Sequence, residues 1–72
     1  MTRQDFNKIG ALLYGPCWQT EMSRRLDVNE RTVRRWYIGD SAIPDGIELK
    51  LIPLLRKQRD QIIAKLDEME EA

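Results

Sequence analysis

Histidine is absent from this 72-residue chain, and cysteine occurs once. Without histidine, the side chain that most often serves as a general base near neutral pH is missing. With one thiol, Cys17, neither an internal disulfide nor a Cys/His zinc cluster can be assembled, and no metal site is expected. Cys17 itself is expected to be a partly buried, inert thiol. There is no glycine-rich phosphate loop and no nucleophile placed beside a base, so the chain is not expected to be an enzyme or to carry a cofactor. No apolar run approaches the roughly 18 residues that signal a membrane span. The N-terminus MTRQDFNK lacks the apolar region of a signal peptide. A soluble, cytoplasmic protein with no membrane partner is the expectation. Strand signals are missing too, because Val, Ile and Thr are scattered and no stretch alternates for long.

Net charge is the last absence. Twelve Lys and Arg balance twelve Asp and Glu. The balance hides a gradient: residues 1–40 hold seven basic against five acidic side chains, and residues 41–72 hold five against seven. The basic excess lies mainly in Arg24, Arg25, Arg31, Arg34 and Arg35, the acidic excess in the tail DEMEEA. Such a dipole suits a protein that turns one face toward a polyanion. Hydrophobic residues make up 42% of the chain, enough for a compact core.

What the sequence does have is helical spacing, which predicts an all-α fold: a small bundle of four to five helices forming a single domain over 1–72. A chain this short buries little surface, which makes a second chain a reasonable expectation. Thr2 is a good N-cap, Asp5 falls in the first turn, and Phe6, Ile9 and Leu13 share a face, so the first helix runs over about 3–14. Gly15-Pro16 stops it. A second helix covers about 18–26, with Met22 and Leu26 inward. Asp27-Val28-Asn29 interrupts, with Asp27 in a left-handed conformation and Asn29 as N-cap. The third helix follows at about 30–38, with Val33 and Trp36 inward, Tyr37 a further candidate, and Gly39-Asp40-Ser41 as its stop. After a turn at 43–46 helical spacing resumes. Pro53 inside it predicts a kink, or a new helix over about 54–71. On that helix Leu55, Ile62 and Met69 recur every seven residues, with Leu66 adjacent, while Gln58 and Arg59 break the stripe. The stripe either folds back on its own domain or pairs two chains, and pairing is the stronger expectation.

Two short helices joined by a three-residue break, with a small residue at the crossing point (Ser23), form a helix-turn-helix pattern over about 18–38. Its outward face is Glu30, Arg31, Arg34 and Arg35. Glu30 and Arg34 can pair on the helix surface. Arg31 and Arg35, a like-charge pair at the same spacing, gain nothing from each other and call for an external anion. Trp36 is expected in the core, and Trp18 as its lid. Arg24 and Arg25 are expected to be solvated charges at a helix C-terminus.

These residues carry a resemblance. WQTEMSRRLDVNERTVRRW resembles the helix-turn-helix of lambda-repressor/Cro-like (XRE-type) DNA-binding proteins, and residues 6–55 are similar to small bacterial and phage regulators. The departures are Asp27, where that family usually has glycine, and Ser23, where it usually has alanine. The resemblance implies a lambda-repressor-like bundle and a bacterial or phage-encoded regulator of transcription. Such a protein would be a repressor binding double-stranded DNA at an inverted-repeat operator as a homodimer. It implies base reading by Glu30, Arg31 and Arg35, with Arg34 between base and backbone, and phosphate contacts from Gln19, Asn29 and Ser41. Arginine can grip guanine bidentately in the major groove and glutamate can accept from cytosine, which is compatible with those roles. Leu55, Ile62, Leu66 and Met69 would supply the dimer contact. The alternative, from a different class, is a protein-interaction module on the same scaffold whose arginines dock an acidic partner.

Overall fold

Thr2 opens the first helix by accepting a hydrogen bond from the Asp5 N–H at 3.1 Å on its side-chain hydroxyl. From there the computed structural model, which describes residues 1–71, runs through four helices: α1 (Arg3–Tyr14), α2 (Trp18–Leu26), α3 (Glu30–Ile38) and α4 (Ile47–Glu71). No strand occurs among the described residues. The first three helices have the boundaries their caps predict. Gly15 closes α1 at φ 79°, its N–H donating to the Ala11 carbonyl at 2.9 Å.

Asp27 takes the left-handed conformation at φ 55° and ψ 47° that ends α2. Its N–H donates to the Arg24 carbonyl at 3.3 Å, and the next N–H, of Val28, reaches back to the Ser23 carbonyl at 3.0 Å. This paired closure consumes two carbonyls that a helix end otherwise leaves open. It turns the chain so tightly that α3 begins three residues later. Val28 then packs against the core from inside the turn. Ser23, in the second half of α2, is buried. Its hydroxyl donates to the Thr20 carbonyl at 2.6 Å, so the buried oxygen is satisfied within its own helix.

The core is Phe6 and Leu13 from α1, Trp18, Met22 and Leu26 from α2, Val33 and Trp36 from α3, and Ile47 and Leu51 from α4. Phe6 is fully buried between the two indoles. Its ring meets Trp18 at 5.3 Å and 76°, and Trp36 at 5.6 Å and 86°, both edge-to-face. Pairs of that geometry contribute about 0.5–1.5 kcal/mol each beyond the area they bury. Gly10 is where α1 yields to Trp18. A Cβ there would collide with the indole carbons, so the close approach requires glycine. Trp18 and Trp36 are both core residues, 3% and 4% exposed. Tyr37 leans edge-on against Trp18 at 5.8 Å and keeps 42% of its surface in solvent, so it is a rim residue and not part of the core.

One feature departs from the sequence-based expectation and another narrows it. Cys17 is exposed, not partly buried, because it sits at the N-cap of α2, one residue ahead of the side chain that enters the core. And of the two outcomes left open at Pro53, a new helix does not form: α4 is one helix of 25 residues with Pro53 inside it. Proline forfeits the bond its missing N–H would give to the Leu49 carbonyl, and its ring crowds that same carbonyl. Ile47 and Leu51, buried six and two residues before it, hold the preceding segment helical against the bundle. Leu54 and Leu55 still touch the core, and from Arg59 to Glu71 every residue is exposed. A helix of this length spans about 37 Å. The molecule is accordingly long and narrow, 48 × 22 × 21 Å, its far end formed by the second half of α4.

Candidate nucleic-acid interface

α3 buries Val33 and Trp36 and turns Glu30, Arg31, Arg34 and Arg35 to solvent. Three attachments fix its position. At its start the Asn29 side chain accepts from the Arg31 N–H at 2.8 Å. At its end Gly39 adopts the left-handed conformation at φ 89°, and the Arg35 carbonyl accepts from the N–H groups of Gly39 at 3.1 Å and Asp40 at 2.9 Å. The third comes from the far end of the sequence. Arg3 Nη1 donates to the Ile38 carbonyl at 3.0 Å, placing a guanidinium at the negative end of the helix dipole. The exposed row is therefore presented on a short rod clamped at both ends.

The four polar side chains of that row are not equivalent. Glu30 is engaged twice: Thr20 of α2 donates its hydroxyl to Oε1 at 2.7 Å, and Arg34 Nη2 lies 3.9 Å from the same oxygen. With 69% of the Arg34 side chain in solvent, the ion pair is loose and strongly screened. Arg31 and Arg35 form no ion pair among the described residues, and both are exposed. They stand one turn apart on the same helix with like charge, an arrangement that is mildly unfavourable in isolation. Arg25 differs, meeting Glu21 at 3.5 Å along α2, while Arg24 is exposed and makes no ion pair among the described residues.

Around this row lie the side chains expected to face phosphate. Gln19, half-buried at the start of α2, shares a shallow recess with Thr20, Glu30, Arg34 and Tyr37. Cys17 makes no side-chain cap at that helix start, so the first N–H groups of α2 are left without a side-chain acceptor. Asn29 spends its carbonyl oxygen on the cap, which leaves its amide N–H groups as donors. Ser41 is exposed beyond the other end of α3 and borders a second recess with Arg3, Trp36 and Gly39. Gln19, Glu30 and Arg34 are thus brought together, whereas Ser41 stands apart at the opposite end of the rod. Sequence spacing gave no sign of Thr20 or Arg3. Their contacts reach across ten and thirty-five positions respectively, beyond any helical period.

Tyr14, at the end of α1, has its pKa raised by burial, with Arg25 pulling it down and Glu21 pushing it up. Among the described residues no three His, Cys, Asp or Glu side chains converge to hold a metal ion. No helix is long and apolar enough to cross a membrane, since the length of α4 is interrupted by charge throughout. On α4 the four stripe residues divide. Leu55 is half-buried and packs against the core, while Ile62, Leu66 and Met69 are 57%, 52% and 68% exposed. Those three lie outside the core cluster, so only the Leu55 end of the stripe packs on its own bundle. Comparison with protein-family models, with curated proteins and with solved structures finds no match for this chain.

Proposed function

We propose that this chain is a sequence-specific, double-stranded DNA-binding regulator of transcription, acting as a repressor. In this view α2, the Asp27–Asn29 turn and α3 form a lambda-repressor-like helix-turn-helix, with α3 entering the major groove. The observation that carries the proposal is the state of Arg31 and Arg35. Two guanidinium groups on one exposed helix face, with no internal carboxylate partner, have their mutual repulsion relieved by an external anion. Their planar forks match the O6 and N7 acceptors of guanine, which a major groove displays side by side. Glu30, held by Thr20, can accept from a cytosine amine beside them. Gln19, the open start of α2, the Asn29 amide and Ser41 are the donors around α3 that would set register on phosphate if α3 occupied the groove.

The chain acts on an inverted repeat as a homodimer, the exposed part of α4 supplying the contact between copies. Half-sites one helical turn apart, roughly 34 Å, are the simplest arrangement for two such rods. Titration of duplex DNA over a range of salt tests the polyanion reading. With about five phosphate contacts, log affinity falls against log salt with a slope near −4 to −5. A flat response, or no binding at low salt, favours the protein-docking alternative, in which the same arginines meet an acidic protein surface.

A further inference from the structure

The free half of α4 carries a charge pattern that selects one way of pairing. Its exposed seam follows the alternating three- and four-residue spacing of a two-helix interface: Arg59, Ile62, Leu66, Met69, continuing the line of Ile52 and the half-buried Leu55. Charge along the helix is segregated. Arg56, Lys57 and Arg59 lie next to the bundle, and Asp67, Glu68, Glu70 and Glu71 lie at the far end. All seven are exposed.

We propose that α4 pairs antiparallel with α4 of a second copy, in the register that sets Ile62 against the second copy's Leu66 and Arg59 against its Met69. This rests on the dimeric reading above and gives it a geometry. In that register the apolar stem of Arg59 covers the methionine while its guanidinium reaches the second copy's acidic end. Arg56 lies opposite Glu70, on the same flank, twice over by symmetry. Ile63, 49% exposed in the single chain, meets its own copy near the two-fold axis. Lys65 also approaches its counterpart there, but it is already paired with Glu68 at 3.3 Å.

A parallel pair fares worse. It would gain a Lys65–Glu70 contact on each side. It would also stack Arg59 on Arg59 inside the seam and lay both acidic ends side by side. Buried like charges at a central seam position carry a desolvation penalty that an exposed lysine–glutamate contact does not offset. The overlap of residues 57–71 is about 22 Å long. That is less than a standard interface of roughly 800 Å² per partner requires, so the association is expected to be weak. The two bundles then lie at opposite ends of the helix pair.

The test starts from a Cys17→Ser chain, because the native thiol is exposed. Chains carrying Ile62→Cys and Leu66→Cys are mixed and oxidised, and their mass is followed by sedimentation equilibrium up to several hundred micromolar. The expected result is a dimer whose disulfides join one variant to the other. Each variant linked to itself means parallel pairing and overturns the proposal, as does a monomer at every concentration. A second arm uses exposed charges that do not touch the core. Arg56→Glu alone and Glu70→Arg alone each weaken the dimer by tenfold or more, and the two changes in one chain restore it. Failure of the double variant to recover also overturns the antiparallel register. Neither readout involves DNA, so failure here is distinct from failure of the DNA reading, which shows in the salt titration alone.

Discussion

Thr20 donates its hydroxyl to a Glu30 carboxylate oxygen at 2.7 Å, tying the first turn of α2 to the first turn of α3. The bond orients the Glu30 carboxylate, and under the proposed reading it couples Thr20, which would touch no base, to a residue that would. Replacing Thr20 with valine keeps the shape and removes the donor. The expected result is a loss of discrimination at the base pair facing Glu30 of about 1 kcal/mol, roughly fivefold, with thermal stability changed by less than that because the bond is exposed. Competition binding between duplexes differing at single positions measures it. Unaltered discrimination at every position would place Glu30 outside the reading surface.

Arg31→Ala and Arg35→Ala separate binding from folding. Each is expected to weaken binding to the preferred duplex by about 1–3 kcal/mol and to relax preference at one base pair. Neither should lower the melting temperature, since each removes a like-charge neighbour one turn away and no internal partner. A fall in stability without change in DNA preference would mean these groups serve the fold.

Gly10→Ala tests the packing that orients α2. The added methyl would overlap the Trp18 ring, so the indole has to move away from Phe6. Overpacking of this kind costs about 1–3 kcal/mol, a large share of the stability available to a domain of this size. Chemical denaturation reads the loss directly, and a chain as stable as the parent would contradict the close approach.

Pro53→Ala addresses the continuous fourth helix. Alanine restores the N–H that the Leu49 carbonyl lacks, and proline in a helix interior is up to about 3 kcal/mol less favourable than alanine. The substitution should raise stability and leave DNA affinity per dimer unchanged. A neutral or destabilising outcome would indicate that the helix is interrupted at this position.

How far the sequence foretold this follows from the range of each interaction. The ends of α1, α2 and α3 were legible because their stop signals are local: Thr2, Gly15, Asp27, Asn29 and Gly39 each act within a few residues. Their buried sides were legible for the same reason, since Phe6, Met22, Leu26, Val33 and Trp36 repeat at helical spacing. Helix after the 43–46 turn was legible as well, since helical spacing resumes there; which of the two outcomes Pro53 would have was not, because that local rule is outweighed by tertiary burial of Ile47 and Leu51. In the candidate site the exposed row of α3 could be read from its period, but the roles of Thr20 and Arg3 could not. They depend on how α2 and the chain's first turn happen to lie against α3.

Selection of bound duplexes from a random pool tests the central claim most directly. Chains that bind through the exposed face of α3 should enrich a two-fold symmetric sequence with guanine–cytosine pairs in each half-site. The Arg31→Ala variant should then enrich the same symmetry with one position relaxed. A pool that emerges without sequence preference, or the same motif drawn out by Arg31→Ala and Arg35→Ala chains, would contradict it.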